Sequence, residues 1–381
     1  MKLIRVKNKF TLYSDGVYLV EFKHGKEYIV PDGFVDSMRA NEPNVDKLLQ
    51  VKDFLNQKAL TGPVDYTGKQ LLVTRTGGYG DMFFLTRSVL EIKKTFSDVK
   101  VTFACGHRYL DLLQMFPIFD KTMAIPIPVE EYERCDYFFT FEGYIETNPE
   151  ACQVNAYELI ARKFFITLPP DHHVPLTVPL RHLTDAETVI REWTRPVVAI
   201  QPRATAQLRT WPIEHLGRLV KRLDQMGYDV LLLDREDVAN DYAKKIGIKV
   251  LTPWTNGVKG SFGLCVALIR KCVLVICPDS VFTYVGDSLE VKTIALYGPF
   301  SSELRAKNLD VYAIEMPDGC YNCCAHTPFP CSRSVDGWSP CLKSITPEMV
   351  LSLADIVLKE REGELPLTPA PIMVKTNSNV F

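Results

Sequence analysis

The chain of 381 residues lacks an excess of charge of either sign: 44 Lys and Arg residues stand against 46 Asp and Glu residues, and the formal net charge is −2. A protein that coats nucleic acid or binds an anionic membrane through its overall charge carries a basic excess. The composition therefore argues against both classes. Only binding through local basic patches remains compatible with it. Hydrophobic residues make up 46% and charged residues 24% of the chain, which is typical of a globular protein and excludes wholesale disorder.

Long apolar runs are missing as well. The most apolar stretch, VALIRKCVLVIC, is interrupted by Arg270 and Lys271, whereas a transmembrane helix needs about 18 apolar residues or more. The segment MKLIRVKNKF carries charges every few positions and has no apolar core of a secretory signal peptide. Cysteines 105, 135, 152, 265, 272 and 277 are scattered as isolated thiols, as in a reducing compartment. We therefore expect a cytoplasmic protein without a membrane span.

A repeated order of strand, turn and helix begins near residue 70. QLLVT, RTGGYGD, MFFLTRSVLEIKKTF and VKVTFAC follow one another, and a second series starts after the proline-rich stretch 168–180. Strands that alternate with helices of about 10–15 residues form parallel sheets buried on both faces. The sequence predicts an α/β protein with two Rossmann-like halves, and the cleft between them is the expected ligand site.

The two ends of the chain have a different pattern. Residues 1–35 alternate like strands and predict a small β-rich unit. The polar segment VDKLLQVKDFLNQKAL (45–60) predicts a helix, and TGPVDYTG after it predicts a linker. Thr346-Pro347-Glu348 marks the start of another helix. The Pro-rich tail 361–381 is predicted to be disordered.

The glycine turn TGGYGD (76–81) joins a buried strand to a helix. Gly78 and Gly80 allow backbone to approach a ligand closely, and the helix N-terminus favours an anion. The turn is not GxGxxG, and no P-loop Lys-Ser/Thr follows it, which disfavours a dinucleotide or ATP site. Asp81 stands where the helix starts. By itself the pattern fits either a helix N-cap or a catalytic carboxylate.

The second half of the chain has polar residues at corresponding turns. Asp279, Ser280 and Thr283 in CPDSVFTY (277–284) lie at a strand-to-helix turn, where hydroxyl and N–H groups can hold phosphate. Their alternative role is plain helix capping. Arg209 precedes Trp211-Pro212, and its guanidinium either grips a diphosphate or stays solvated on the surface.

Taken in order, four segments resemble one family. LLVTRTGGYGDMFFLTRSVLEIKKTF, RTWPIEHLGRLVKRL, PDSVFTYVGDSLEVKTIALYGPF and CLKSITPEMV are similar to the successive motifs of the heptosyltransferase-type glycosyltransferases, glycosyltransferase family 9. The resemblance implies a GT-B fold and an inverting, metal-independent transfer of a sugar from a nucleotide diphosphate. It divides the chain into an N-terminal addition and linker (1–62), an acceptor-side domain (63–185), a donor-side domain (186–360) and the tail (361–381).

The resemblance also implies roles for single residues. Asp81 matches the general base of the family's GD motif. Arg209 matches a basic residue that contacts the donor phosphates, and Thr205 matches a phosphate-binding hydroxyl. Asp279 and Ser280 match the Asp-Ser/Thr motif at the pyrophosphate.

The remaining residues of the expected donor site match the family pattern less closely than Asp81 and Arg209 do. Thr283, Gly78 and Gly80 complete the set, and Asp234 or Glu236 is expected at the nucleoside ribose. The chain departs from the family where DSG is usual, because Val281 replaces the glycine and Tyr284 stands at the position of a histidine. A heptose donor is therefore not assumed.

The remaining cysteines are crowded into the segment CYNCCAHTPFPCSRSVDGWSPC (320–341). Four thiolates at such spacing can surround one ion in a loop that the ion itself folds. Many relatives carry a similar run, and some that resemble autotransporter heptosyltransferases hold iron there. The match selects Cys320, Cys323, Cys331 and Cys341 as ligands of a structural zinc or iron, and no catalytic metal is expected. Cys324 is then spare and His326 is a substitute ligand, while free buried thiols or a disulfide are the alternatives.

Two further functional classes stay open beside the enzyme. One is a noncatalytic module that binds a nucleotide or sugar phosphate, and the other is a structural or assembly protein. As an enzyme, the chain is expected to take a nucleotide-sugar donor and a glycan, protein or other hydroxyl-bearing acceptor. The N-terminal addition is a candidate for homo-oligomer contacts or for acceptor docking.

Overall fold

The computed structural model describes residues 1–14, 18–42, 44–191, 193–247, 249–253, 258, 260–315, 323 and 331–361. Cys320, Cys324 and His326, and the predicted tail from residue 362 onward, lie outside these described residues. No helix in the described ranges is long and apolar enough to cross a membrane. The chain divides into two compact units, one formed by residues 1–147 and 160–168 and the other by residues 148–159 and 169–381.

The first unit contains two main sheets. Its strands are β1 (Lys2–Val6), β2 (Phe10–Ser14), β3 (Tyr18–Phe22), β4 (Glu27–Val30), β5 (Leu49–Asp53), β6 (Gln70–Arg75), β7 (Lys100–Cys105), β8 (Lys121–Ala124), β9 (Ile127–Pro128) and β10 (Tyr137–Thr140). Its helices are α1 (Asp32–Asn41), α2 (Val45–Leu48), α3 (Tyr79–Thr95), α4 (Leu110–Leu113), α5 (Val129–Arg134) and α6 (Tyr144–Thr147), and α7 (Ala156–Lys163) ends in this unit.

The N-terminal sheet is antiparallel and has the strand order β5–β1–β4–β9, with β2 and β3 forming a separate hairpin. The helix predicted over 45–60 is wrong after Leu48, because Leu49–Asp53 form a strand that pairs with β1. Leu49 is buried and Val51 half-buried, while the residues between and after them are exposed. This alternation of period two suits an outer strand with one face on the core.

The second sheet of this unit is parallel, with the order β10–β6–β7–β8. Residues 71–75 of β6 are all buried, as expected for a parallel strand covered on both faces. Thr140 of β10 lies beside Thr74, and Cys105 of β7 lies beside Arg75. The carboxyl ends of these strands therefore meet at one edge, where the glycine turn also lies.

The second unit is built around one parallel sheet, with the order β12–β11–β13–β14–β15. The strands are β11 (Val197–Ile200), β12 (Asp229–Leu232), β13 (Leu274–Pro278), β14 (Thr293–Tyr297) and β15 (Tyr312–Glu315). The helices are α8 (Leu180–Ile190), α9 (Ile213–Gln225), α10 (Glu236–Ile246), α11 (Phe262–Ile269), α12 (Val281–Ser288), α13 (Ser302–Arg305), α14 (Pro340–Lys343) and α15 (Pro347–Arg361).

Helix α9 shows how the core of this unit forms. Leu216, Leu219, Val220 and Leu223 recur at helical spacing and are all buried, and full burial of such a side chain contributes about 1.5–3 kcal/mol. Trp211 precedes the helix, and its indole N–H donates to the carbonyl of Ile345 at 2.9 Å. The loop between β11 and α9, which carries Arg209, is thereby fixed to the segment before α15.

Candidate functional site

In the first unit, the glycine turn brings Asp81 to the end of a parallel strand. Gly78 is the N-cap of α3 with a φ of 85°, and Asp81 is the third residue of the helix. The interpretation of Asp81 as the N-cap is therefore wrong. A Cβ atom on Gly78 would lie 2.0 Å from Oδ2 of Asp81. Only glycine leaves room for the carboxylate at this place.

The Asp81 carboxylate is paired with Arg75, a residue that the sequence reasoning missed. Nη2 of Arg75 donates to Oδ2 of Asp81 at 2.5 Å and to Oε1 of Glu146 at 2.5 Å. Nη1 donates to Oε2 of Glu146 at 3.1 Å and to the carbonyl of Phe141 at 2.6 Å, and Nε donates to the carbonyl of Gly77 at 2.9 Å. The side chain of Arg75 is 7% exposed and that of Asp81 is 20% exposed. Burial alone would lower the pKa of Arg75, but the carboxylates of Asp81 and Glu146 raise it above its ordinary value.

Two half-buried charged residues, Glu142 and Lys163, lie near the glycine turn. The carboxylate of Glu142 accepts from the backbone N–H of Thr76 at 2.6 Å and from the Thr76 hydroxyl. Burial raises the pKa of Glu142, although both bonds from Thr76 oppose this shift. The ammonium group of Lys163 donates to the carbonyl of Thr140 and lies 4.3 Å from the ring centre of Tyr144. Burial lowers the pKa of Lys163 to about 8, against the attraction of Glu142.

In the second unit, the two residues predicted to contact the donor phosphates are paired with each other. Nη1 of Arg209 lies 3.3 Å from Oδ2 of Asp279 and donates to the Asp279 carbonyl at 3.1 Å. The Arg209 side chain is 28% exposed, whereas that of Asp279 is 6% exposed. Among the described residues, the bonds that the Arg209 side chain makes all come from Nη1. The rest of the guanidinium can therefore serve an anionic ligand.

The hydroxyl residues of the predicted phosphate site differ in exposure. Ser280 is the N-cap of α12, but its hydroxyl donates to the side chain of Gln201 and makes no cap bond. The hydroxyl of Thr283 is fully buried and lies 3.4 Å from the sulfur of Cys277. Thr205 is exposed in the loop that leads to Arg209. The side chains of Thr205 and Ser280 are therefore more accessible to a ligand than that of Thr283.

The two acidic residues predicted at the ribose are placed differently. Asp234 accepts from Nε of Arg203 at 2.9 Å and from its neighbour's backbone N–H at 2.7 Å. Glu236 is exposed in the first turn of α10. Sequence reasoning missed Arg203, which stands two residues before Thr205 and was not part of any recognised motif.

The described part of the cysteine run contains three of the four predicted ligands. Cys323 is exposed, Cys331 is half-buried, and Cys341 is buried at the start of α14. Among the described residues, no group of three or more His, Cys, Asp or Glu side chains is placed to hold a metal ion. The described thiols alone therefore do not form a metal site, and Cys320 lies outside the described ranges.

The comparison with protein families identifies one region of the chain. Residues 147–321 match the model of glycosyltransferase family 9 (heptosyltransferase). This region is a glycosyltransferase family 9 domain. The resemblance predicted from the sequence motifs is confirmed by this match. No curated protein matches the chain in sequence.

Solved structures match the fold over most of the chain. The E. coli ADP-heptose lps heptosyltransferase II matches with a TM-score of 0.60 at 15% identity, over 77% of this chain and 99% of that one. A family 9 glycosyltransferase from Veillonella parvula matches with a TM-score of 0.59 at 14% identity, over 78% and 99%. The iron-containing dodecameric glycosyltransferase TibC from enterotoxigenic E. coli matches with a TM-score of 0.56 at 15% identity, over 94% and 92%. The predicted α/β, GT-B fold class is confirmed by these matches.

Proposed function

We propose that the protein is an inverting glycosyltransferase that moves a sugar from a nucleoside diphosphate to an acceptor hydroxyl, with Asp81 as the general base. The observation that carries the proposal is the place of the Asp81 carboxylate. It lies at the carboxyl end of β6, above a glycine, in the first turn of α3. The carboxyl ends of parallel strands are where α/β proteins bind and transform ligands.

In the proposed reaction, the Asp81 carboxylate takes the proton of the acceptor hydroxyl as its oxygen attacks the anomeric carbon. The bond from that carbon to the diphosphate breaks on the opposite face, so the configuration inverts. A base placed in this way contributes about 10²–10⁴-fold to the rate. The acceptor is a glycan, a protein or another molecule that bears a hydroxyl group.

The second unit supplies the groups for the leaving diphosphate. Negative charge builds on that diphosphate as the bond breaks, and fixed donors stabilise it. Arg209, whose side-chain bonds to described residues all come from Nη1, and the exposed Thr205 support this role, as does the N-terminus of α12 at Ser280. Asp234 or Glu236 is proposed to accept from the ribose. The names of the solved relatives place ADP-heptose among the donors to test first, without limiting the donor to it.

Donor hydrolysis and transfer test this function. We expect the wild-type chain to release nucleoside diphosphate slowly from at least one member of a sugar-nucleotide panel, and Asp81→Asn to abolish that release. Asp32→Asn makes the same chemical change in the first turn of α1 and should leave release unchanged. Loss of activity in both variants would assign the effect to folding and not to the base.

One observation favours a noncatalytic sugar-phosphate-binding module as the second candidate. Arg75 already donates to Asp81 at 2.5 Å, and a cation this close makes a carboxylate a weaker base. Donor binding in a thermal-shift screen, without turnover for any donor or acceptor, would select this module. Turnover that depends on Asp81 would exclude it.

A structural metal in the segment 320–341 is proposed from the spacing of Cys320, Cys323, Cys331 and Cys341, and from the iron-containing relative TibC. Protein purified without chelator should carry about one equivalent of zinc or iron, and Cys331→Ser should lose it. Cys152→Ser, which changes an exposed thiol elsewhere, should keep it. Metal content near zero in the wild type would reject the site.

The N-terminal addition is proposed to support a homo-oligomer, because the relative TibC is dodecameric. Light scattering of the full chain tests this directly. A truncation is less suitable, because Ile29 of β4 packs in one cluster with Leu72 and Phe138 of the parallel sheet. Removal of residues 1–62 would therefore expose part of the core. A monomer at all concentrations would reject the proposal.

A further inference from the structure

All five N–H donors of the Arg75 guanidinium are occupied. They serve the carbonyls of Gly77 and Phe141, both oxygens of Glu146 and Oδ2 of Asp81. Such a planar group, bonded in every direction, has one orientation available. The guanidinium therefore connects the glycine turn, the start of α3 and the segment after β10 as one rigid unit.

A single nitrogen of Arg75 bridges the two carboxylates. Nη2 donates one hydrogen to Asp81 and the other to Glu146, both at 2.5 Å. The Asp81 oxygen that receives this bond, Oδ2, is also the atom that a Cβ on Gly78 would displace. Two independent features thus define the place of the same oxygen: a donor on one side and an absent side chain on the other.

From this geometry we propose that Arg75 is the positioning residue of Asp81 and that Glu146 holds Arg75 in place, an inference that rests on the proposed role of Asp81 as base. Arg75 orients the carboxylate and favours its ionised form. The negative charge of Glu146 partly offsets the positive charge of Arg75. It thereby limits how strongly Arg75 weakens Asp81 as a base. Neither Arg75 nor Glu146 exchanges a proton with the substrate.

The charges around Asp81 determine the sign of each effect. Among the described residues, the carboxylates that act on Arg75 include Asp81 on α3, Glu146 on α6 and Glu142 after β10, and Glu142 also attracts Lys163 on α7. Loss of the Arg75 charge leaves Asp81 among carboxylates, so its protonated form is favoured. Without the negative charge of Glu146, the positive charge of Arg75 acts more strongly on Asp81. The ionised form of Asp81 is then favoured. The two variants therefore shift the titration of Asp81 in opposite directions.

Titration of the Asp81 carboxyl by NMR tests the proposal without turnover. The signal is obtained from protein with ¹³C-labelled aspartate and is assigned by its loss in Asp81→Asn. We expect Arg75→Gln to raise the titration midpoint by about one pH unit or more, and Glu146→Gln to lower it by a smaller amount. Midpoints that stay the same in both variants, or that move in the same direction, would overturn the proposal.

The pH dependence of kcat/KM tests the same point during catalysis. The apparent pKa on the acidic side of this profile should rise in Arg75→Gln and fall in Glu146→Gln. Arg75→Lys keeps the charge but has only three donors, so we expect a fall in kcat with the donor KM unchanged. A donor KM that rises while kcat holds would place Arg75 in ligand binding and overturn its positioning role.

The ion pair of the buried Arg87 with Glu91 on α3 provides the matched control. Nη1 of Arg87 lies 3.1 Å from Glu91, and the Arg87 side chain is 2% exposed. Arg87→Gln should lower the Tm while leaving the Asp81 midpoint unchanged. An equal midpoint shift in Arg87→Gln would show that any loss of a buried arginine produces the effect, which would overturn the proposal. A wild type without turnover but with opposite midpoint shifts would reject the function alone.

Discussion

The two units place arginine beside aspartate in opposite ways. Arg75 of the first unit is 7% exposed, and all five of its guanidinium N–H groups donate to protein oxygens. Arg209 of the second unit is 28% exposed, and its described bonds come from one nitrogen. The buried carboxylate in the second unit is Asp279, whereas in the first unit it is the arginine that is the more deeply buried partner.

This difference suits Arg75 to its proposed role in orienting a neighbour and Arg209 to its proposed role in binding a ligand. A saturated, buried guanidinium loses little freedom during a reaction and can hold a neighbour within a fraction of an ångström. A partly exposed guanidinium can exchange its protein partner for the oxygens of a diphosphate, because its planar fork of donors matches their geometry. The first unit is thus suited to fix a base, and the second to bind a charged ligand.

The largest expected effect comes from the same Asp→Asn change made in each unit. Asp81→Asn should lower kcat for transfer by about 10²–10⁴-fold, because the proposed base is lost. Asp279→Asn should leave kcat within a few fold, because Asp279 pairs with Arg209 and is not the proposed base. Steady-state kinetics with saturating donor measure both. Equal losses in kcat would remove the distinction between the two units.

The next effect concerns donor affinity. Arg209→Gln should raise the donor KM about 10–100-fold, since a hydrogen bond to a charged group contributes about 1.5–3 kcal/mol. The comparison variant Arg218→Gln removes an exposed arginine of α9 that lies 3.7 Å from Glu348, and it should leave KM unchanged. A rise in KM with both variants would indicate a general effect of charge.

A smaller effect is expected from two Gly→Ala variants, which separate backbone strain from a steric clash with Asp81 at the glycine turn. Gly78→Ala combines a φ of 85° with a Cβ placed 2.0 Å from Asp81, whereas Gly227→Ala has a φ of 91° and no atom within 4 Å of its Cβ. Both should lose about 1–2 kcal/mol of stability from strain, and only Gly78→Ala should also lose kcat. Thermal unfolding and kinetics of the pair measure this, and an unchanged kcat in Gly78→Ala would contradict it.

The last effect concerns stability and not turnover, and it is a pH dependence in the first unit. The pKa of Lys163 is lowered from 10.5 to about 8 by burial, so between these values the unfolded chain binds more protons than the folded one. The stability of the wild type should therefore rise with pH in this window relative to Lys163→Met. Lys245→Met, which removes an exposed lysine whose pKa Asp241 raises, should not abolish the rise. Urea unfolding from pH 8 to 10.5 measures both, and parallel curves for wild type and Lys163→Met would contradict it.

Much of the fold was predictable because its signals are local. The alternation of buried strands, glycine turns and helices identified both parallel sheets, and family motifs pointed to Asp81, Arg209 and Asp279. The prediction of a helix over residues 49–53 is wrong because the polar residues of this segment fit a helical face as well as an outer strand. Only pairing with β1, 40 or more residues away in sequence, selects the strand.

The order of the elements and the identity of the residues at the strand ends can be read from local sequence, since periodicity and turn chemistry act over a few residues. Which charges neutralise one another depends on the tertiary fold. Arg75 and Glu146 are 71 positions apart, and no local pattern relates them. Their pairing follows from the parallel register of β6 and β10, which brings both to one sheet edge. There, burial makes every unpaired charge costly, so the fold gives the Asp81 carboxylate a defined partner.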